Sequence, residues 1–489
     1  MTMKSKILFQ SNENHYFQDI NSNYLLFLPF ELFHQIEKCL DTPSFAVKDS
    51  TNYYERKARF LLEKLENKKN IEQNLSGRLT SETIENTLAN TRQVTFELTE
   101  QCNLKCKYCG YGELYNDYLP RQNKDLPFEY VKHLIEYLNA YWTSSKYTSV
   151  NRTIAIGFYG GEPLLKVDLI KQIIQLLKTK CTDSISFTFH MTTNGMLLDQ
   201  YMDFLVENNI QLLISLDGDE HNNSYRVDKF GKNHFHSILS NIVLLQERFP
   251  EYFKKKVNIA SVLHNRNSVS EIYNFFQNQF DKKARISEVN PMGIKHKKKE
   301  QFNVMYKKGI ESLNQAEDYN KIKEELFIKE PDTNTLLHYF HAYSGNYFKN
   351  FESFFIDKKT VKWVPTGTCL PFSKKIFLTV GGKILPCERI GHQYIIGHVG
   401  ENGVNIDFNE IANKYNLYYD NLLSQCSNCY RLKNCLQCIF HVEDIENKPV
   451  CNGYFDEEKF KEYLSNNISF LSKNPELYNK IMTEVVLED

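Results

Sequence analysis

Three cysteines, Cys102, Cys106 and Cys109, stand four and three residues apart within Glu97–Gly112, ELTEQCNLKCKYCGYG. Thiolates are soft ligands, and three on one short loop suit three irons of a cubic iron–sulfur cluster. The fourth iron is then left without a protein ligand, and chemistry can happen there. A zinc site would usually want a fourth Cys or His nearby, and the loop supplies none. Of the twelve cysteines in the chain, seven more lie from Cys369 to Cys451. Only Cys39 and Cys181 stand apart, as buried or surface thiols do. Clustering of this kind, behind an N-terminus with no apolar signal segment, points to metal rather than disulfides.

The rest of the chain has to place that loop. At 489 residues it is too long for one ordinary core. With 42% hydrophobic and 24% charged residues it has the composition of a soluble globular protein, not a disordered one. A net charge of −1 supplies no global field, so neither nucleic acid nor membrane is expected as a partner. No apolar run is long enough to span a bilayer, and a cytoplasmic location is expected.

From Thr91 strand and helix alternate. Strands are expected at Val94–Leu98, Ile154–Tyr159, Ser186–Met191, Gln211–Leu216, Asn258–Leu263 and Arg285–Val289. Helical stripes come after them, such as Val131, Leu134, Ile135, Leu138 and Ile170, Ile173, Ile174, Leu177, with others near 199–208, 235–248, 268–279 and 301–315. Six βα units imply an α/β fold, a partial (βα)6 barrel of TIM type with its active loops at the carboxyl ends of the strands. The cysteine triplet sits at that end of the first strand. Before it, residues 1–90 show short strands at Ile7–Gln10 and Tyr24–Leu28, a helix opened by Pro29, and a second helix bearing Ala58, Leu61, Leu62 and Leu65. This suggests a winged-helix-like unit, either a scaffold or a peptide-recognition domain with an exposed strand edge. The expected division is 1–90, the barrel at 91–300, a helical bridge at 301–365, and a cysteine-rich domain at 366–489 with a closing helix along Phe460, Leu464, Ile468 and Leu471. The basic run Lys295, His296, Lys297, Lys298, Lys299 has the pattern of a solvated face, with docking of an acidic peptide as the alternative.

The spacing CxxxCxxC, with Tyr108 just before the last cysteine, resembles the signature of radical S-adenosylmethionine (radical SAM) enzymes from about Thr91 to Asn290. The resemblance implies a 4Fe-4S cluster on Cys102, Cys106 and Cys109 whose open iron chelates S-adenosylmethionine. One electron then yields a 5′-deoxyadenosyl radical that removes a substrate hydrogen, with the protein supplying geometry. Gly160-Gly161-Glu162-Pro163 matches the family motif that meets the methionine amino group, and glycine permits close backbone approach. Thr193-Asn194-Gly195 and Ser215-Leu216-Asp217-Gly218 match positions near the cofactor. Arg226 matches a downstream arginine and contacts either the cofactor or a surface carboxylate.

The C-terminal pattern resembles the SPASM extension of peptide-modifying radical enzymes, a seven-cysteine domain with two auxiliary iron–sulfur clusters, expected to be 4Fe-4S. It runs Cys369, Gly382, Cys387, then Cys426-x2-Cys429-x5-Cys435-x2-Cys438, then Cys451. The last internal gap has two residues where the family usually has three. The resemblance assigns Cys426, Cys429, Cys435 and Cys451 to an outer cluster and Cys369, Cys387 and Cys438 to an inner one, leaving the inner cluster one ligand short. For the CxxC pairs alone, a zinc ribbon is the competing reading. KIFLTVGGKILPC around Gly381-Gly382 has the pattern of a hairpin. Glu388 stands where sulfatase-maturing relatives carry an Asp proposed as proton acceptor, or else pairs with Arg389. The function expected is cross-linking of a ribosomal precursor peptide, by a thioether or a carbon–carbon or carbon–oxygen bond. Residues 1–90 would hold the peptide's leader, and a flavodoxin or ferredoxin would donate electrons. Sulfatase maturation, oxidising Cys or Ser to formylglycine, is the alternative enzyme. A non-catalytic iron–sulfur electron-transfer or regulatory protein is the alternative of another class.

Overall fold

Short, nearly continuous apolar runs such as IAIGFY and LLIS belong to strands buried on both faces, which is how parallel sheets are covered. In the computed structural model, which describes residues 3–41, 51–66, 75–116, 122–150, 152–181, 185–326, 331–344 and 362–485, they form a six-stranded parallel run. Its strands are β4 (Gln93–Glu97), β5 (Thr153–Tyr159), β6 (Ser186–Thr193), β7 (Gln211–Ser215), β8 (Val257–Leu263) and β9 (Arg285–Glu288). Neighbours in sequence are neighbours in the sheet, with Val94 opposite Ile156, Ile156 opposite Phe189 and Ile214 opposite Ile259. The intervening helices are α4 (Phe128–Trp142), α5 (Val167–Lys180), α6 (Leu198–Glu207), α7 (Phe235–Arg248) with the short α8 (Pro250–Lys256), and α9 (Val269–Phe280). The stripes on α4 and α5 are the ones expected. Val131, Leu134, Ile135, Leu138, Ile170 and Ile173 are fully buried, each contributing roughly 1.5–3 kcal/mol of apolar transfer. A capping box starts α9: Ser268 Oγ accepts from Glu271 N at 3.2 Å and donates to Glu271 Oε2 at 2.9 Å.

The expected hairpin forms and has a second role. β10 (Ile376–Leu378) and β11 (Lys383–Leu385) pair antiparallel, and β10 then pairs parallel with β4, Phe377 opposite Thr95. β12 (Gly397–Gly400) and β13 (Gly403–Asn405) continue the sheet to ten strands. The (βα)6 run is thus extended at its first strand by chain from the cysteine-rich region. Glu97, buried at the end of β4, accepts from Val380 N at 3.0 Å.

Contact clustering divides the chain into two compact units. Leu79–Ile322 with Cys369–Lys414 is the barrel unit. Met1–Arg78, Lys323–Thr368 and Tyr415–Asp489 form the other. The four consecutive segments expected from the sequence cut across these units. In the second unit β1 (Lys6–Ser11), β2 (Asn14–Asp19) and β3 (Tyr24–Leu28) make an antiparallel meander. α1 (Phe30–Asp41) and α2 (Tyr53–Glu66) pack on it through Phe17, Leu28, Leu32, Ile36, Ala58 and Leu62. A separate core of Ile7, Phe9, Tyr343, Phe460 and Leu464 joins the sheet to helices Pro331–Tyr343 and Glu457–Lys473. The helix expected near 301–315 is two, Lys299–Met305 and Gly309–Asn314, because Tyr306 is extended between them. Residues 345–361 of the expected bridge lie outside the described residues.

Candidate active site

Parallel strands deliver the loops at their carboxyl ends to one edge of the sheet, and the cysteine loop arrives there from β4. Two neighbours grip its backbone. From β5, Gly161 N donates to Thr99 O at 2.7 Å and Glu162 N to Gln101 O at 2.9 Å. A Cβ on Gly161 would lie 1.9 Å from Gln101 O, and Gly160 has φ +127°, so both positions require glycine. The close approach these glycines make in the structure is to the loop itself. From the other side, Lys105 N donates to Val227 O at 2.6 Å and Lys107 N to Tyr225 O at 3.0 Å.

Glu162 works as a tie. Its buried carboxylate accepts from Thr193 Oγ1 at 2.7 Å, Asn194 N at 2.8 Å and Leu164 N at 3.1 Å. Burial raises its pKa above the ordinary range, against the pull of those hydrogen bonds. The Thr193–Gly195 turn is fixed in this way. Asn194 Nδ2 donates to Asn103 Oδ1 at 2.6 Å and reaches Cys102 Sγ at 3.7 Å. Pro163, buried, opens the one-turn 3-10 helix next to Glu162, where its missing N–H costs nothing.

After β7, Ser215 is half-buried while Asp217 is fully buried. Asp217 accepts from the Tyr108 hydroxyl, and its Oδ1 from Val262 N at 2.9 Å. Arg226 Nη1 donates to Tyr108 Oη at 3.2 Å. His264, wholly buried, places Nε2 3.7 Å from Asp217 Oδ2. Asn267 Nδ2 donates to Val262 O at 2.9 Å and to Asp217 O at 3.4 Å. Burial and then Asp217 push the Tyr108 hydroxyl well up, so it stays neutral and donates. Burial opposes the charge on Arg226, but Cys106, Tyr108 and Asp217 outweigh it and hold the guanidinium charged. Its buried Nε has no hydrogen-bond partner among the described residues. His264 and Asn267 were not singled out in the sequence. Their signal is position, as polar residues at the carboxyl end of a barrel strand.

The cysteines fall into three situations. Burial pushes the Cys106 thiol up to about 12, opposed first by Arg226, with Cys109 and Cys102 also acting on it. Cys426 is raised by burial and then by Cys435, Cys429 and Cys451, so the four cysteines assigned to one outer set are mutual neighbours. Cys387 is raised by burial to about 11 and lies 3.5 Å from Glu388 Oε2. Cys369 and Cys387 belong to the barrel unit and Cys438 to the other. Among the described residues no group of three or more His, Cys, Asp or Glu is gathered to hold a single metal ion. Glu388 is paired chiefly with Lys375, whose Nζ donates to Oε1 at 3.1 Å and Oε2 at 2.8 Å, while Arg389 Nε is 3.9 Å away. Burial works against ionisation of Glu388, yet Lys375 outweighs it and holds the carboxyl below its usual range.

Residues 96–276 match the Radical SAM superfamily. The chain carries a radical SAM domain. It is 27% identical over 392 residues to the cysteine-type anaerobic sulfatase-maturating enzyme of Clostridium novyi, covering 76% of this chain and 94% of that one. It is also similar to the radical SAM cyclopropyl synthase TigE of Paramaledivibacter caminithermalis, 22% identical over 40% of this chain and 39% of the other. Among solved structures, anSMEcpe with bound AdoMet and Cp18Cys peptide shares the fold, with a TM-score of 0.52 at 16% identity over 79% of this chain and 98% of that one. The protein is an enzyme with a radical SAM domain, similar to enzymes named as sulfatase-maturating. No helix among the described residues is long and apolar enough to cross a membrane.

The residues present fit the cofactors of that family. Three thiols on one short loop suit iron, which would replace their protons. A buried guanidinium with a spare N–H beside them suits an anionic group. A radical SAM domain works with S-adenosylmethionine and a 4Fe-4S cluster.

Proposed function

We propose that the enzyme oxidises a Cys or Ser side chain in a peptide segment to formylglycine, the sulfatase-maturation alternative of the sequence analysis. The observation that carries this is the likeness to the Clostridium novyi enzyme over nearly its whole length. The comparisons favour it over the peptide cross-linking expected from the sequence, which becomes the second reading. One observation keeps that reading in play. β3 is an edge strand among the described residues, and Tyr24, Phe27 and Phe30 are exposed along it and just beyond it. An edge strand flanked by aromatic side chains is suited to adding a peptide strand.

Cys102, Cys106 and Cys109 would hold the first cluster, and Cys426, Cys429, Cys435 and Cys451 one auxiliary cluster. When bound, the first cluster and S-adenosylmethionine supply the radical that removes a substrate hydrogen. The chain's own groups divide into holders and positioners. Asn194, Ser215 and the spare Nε–H of Arg226 would face the cofactor. Gly160, Gly161, Glu162, Pro163, Tyr108 and Asp217 act by fixing the loop and these groups, since the two carboxylates already accept from donors within the protein. His264 and Asn267 hold Asp217 in turn. One hydrogen atom goes to the radical; the second electron would pass to an auxiliary cluster, and the second proton needs an acceptor. From Ser this gives the aldehyde directly, and from Cys a thioaldehyde that water converts to the aldehyde with release of sulfide. Glu388 is ionised at neutral pH because of Lys375, and is the residue proposed for that step.

The test is anaerobic turnover with S-adenosylmethionine, a reductant and a peptide bearing a single Cys or Ser, read by mass spectrometry and hydrazide trapping. An aldehyde on that residue is expected. Loss of two hydrogens with no aldehyde, from a peptide able to cross-link, would replace this reading with the second.

A further inference from the structure

The basic run after β9 is folded back onto the chain just beyond the cysteine loop. Asn116 N donates to Gly293 O and Lys295 N to Leu114 O, both at 2.8 Å, and Tyr115 Oη donates to Asn290 O at 2.9 Å. Beneath this contact lies an apolar layer of Tyr108, Leu114, Val289, Phe302 and Met305, with Cys106 and Tyr225 packed against it. A groove of about 590 Å³ opens onto the layer through Tyr225 and Met305. Its rim carries Lys107, Lys297 and Lys298 against a single Glu300. Lys107 is exposed between Cys106 and Tyr108, and Lys297 is exposed as well. Lys298 donates to Gln301 Oε1 at 3.2 Å and lies 3.6 Å from the solvent-exposed Glu113, a neutral acceptor and a loose surface pair that leave its charge largely available. With a chain charge of −1 this positive rim is a local feature.

We propose that this groove docks an acidic one-electron carrier protein, flavin- or iron–sulfur-based, that reduces the first cluster. The proposal rests on the reading that Cys102, Cys106 and Cys109 hold that cluster. Electron transfer weakens steeply with distance, and here one packed apolar layer separates a solvent groove from Cys106. A cationic rim speeds encounter with an acidic partner without demanding tight binding, which suits a carrier that must leave after each delivery. One electron leaves the carrier's reduced cofactor and enters the cluster, and no bond or proton changes hands. An acidic stretch of the peptide substrate would also meet these lysines, but it has no need of the route to Cys106.

The experiment uses the full-length, iron-loaded enzyme with reduced flavodoxin as the probe, following bleaching of the cluster by anaerobic stopped flow. K297E/K298E should slow reduction about tenfold or more at low ionic strength and flatten the salt dependence seen for the unaltered enzyme. Reduction by photoreduced deazaflavin, a small neutral donor, and peptide affinity should be unchanged. K107E should act in the same direction. An unchanged flavodoxin rate in both variants, or weakened peptide binding with an unchanged flavodoxin rate, overturns the proposal. Failure of deazaflavin to reduce the unaltered enzyme overturns instead the cluster assignment beneath it.

Discussion

Alanine at Gly161 should test how tightly the second strand's turn clasps the cysteine loop. The new Cβ would lie 1.9 Å from Gln101 O, 2.5 Å from its carbonyl carbon and 2.9 Å from Glu100 O. All three are backbone atoms, so no side chain can swing away. The overpacking costs about 1–3 kcal/mol. The shift needed to relieve it breaks the hydrogen bonds from Gly161 N to Thr99 O and from Glu162 N to Gln101 O, each contributing roughly 0.5–1.5 kcal/mol. Together these give a loss of about 2–6 kcal/mol, a fall in melting temperature on the order of 10 °C for a unit of this size. Because Gln101 adjoins Cys102, the shift also enters the cluster loop, and iron content should fall. Gly381 serves as the control. Nothing lies within 4 Å of its Cβ position and no left-handed φ marks it, so Gly381→Ala should stay within about 0.5 kcal/mol. Anaerobic calorimetry with iron analysis reads both variants. Gly161→Ala with wild-type melting and full iron would refute the clasp.

Two further outcomes concern the charged groups. Glu162→Gln leaves either Leu164 N or Asn194 N without an acceptor, a cost of about 1–3 kcal/mol partly offset by no longer burying a charge; a rise in KM for S-adenosylmethionine larger than the fall in peptide affinity is expected, and equal changes would remove its role as a tie. Lys375→Met strands the Glu388 carboxylate. Glu388 has a folded pKa below its usual value, so its stabilisation is complete above the ordinary carboxylate range and is lost as pH falls through the lowered value. The variant should be less stable by roughly 3 kcal/mol at neutral pH and should lack that acid-side loss, as measured by unfolding at a series of pH values. An identical pH profile would mean the pair is inert.

Much of the barrel was legible because its strands are short apolar runs between turn residues, and each lies within a residue or two of its expected place. β2 was not expected. NHYFQD carries Asn14, His15, Gln18 and Asp19, and hides the pattern because Gln18 and Asp19 are buried with partners, Gln18 Nε2 to Tyr343 O and Asp19 Oδ2 from Ser22 N. α3 (Ser81–Ala89) was missed too, being short, with few apolar positions, and started by the Thr80 cap. The helix Phe408–Cys426 has no clean apolar face in its sequence, NEIANKYNLYYDNLL, because its buried residues are largely tyrosines. The addition of β10 to β4 is a pairing across nearly three hundred residues, which no local pattern encodes. At the site, spacing singled out the cysteine loop, and the family resemblance pointed to Tyr108, Glu162, Asn194, Asp217 and Arg226. They did not reveal that Glu162 and Asp217 accept from donors on neighbouring strands and loops, or that Glu388 pairs with Lys375 more closely than with Arg389, since those facts depend on which strands are neighbours.

The central claim is that the loop at Cys102, Cys106 and Cys109 starts the chemistry. It is tested most directly by measuring 5′-deoxyadenosine after anaerobic incubation of reconstituted enzyme with S-adenosylmethionine and dithionite, beside a variant with all three cysteines changed to alanine. The unaltered enzyme should form 5′-deoxyadenosine, and the variant should form none while keeping about two-thirds of its iron on the auxiliary sites. Iron-loaded enzyme that forms none, or a variant that forms as much, would contradict the account.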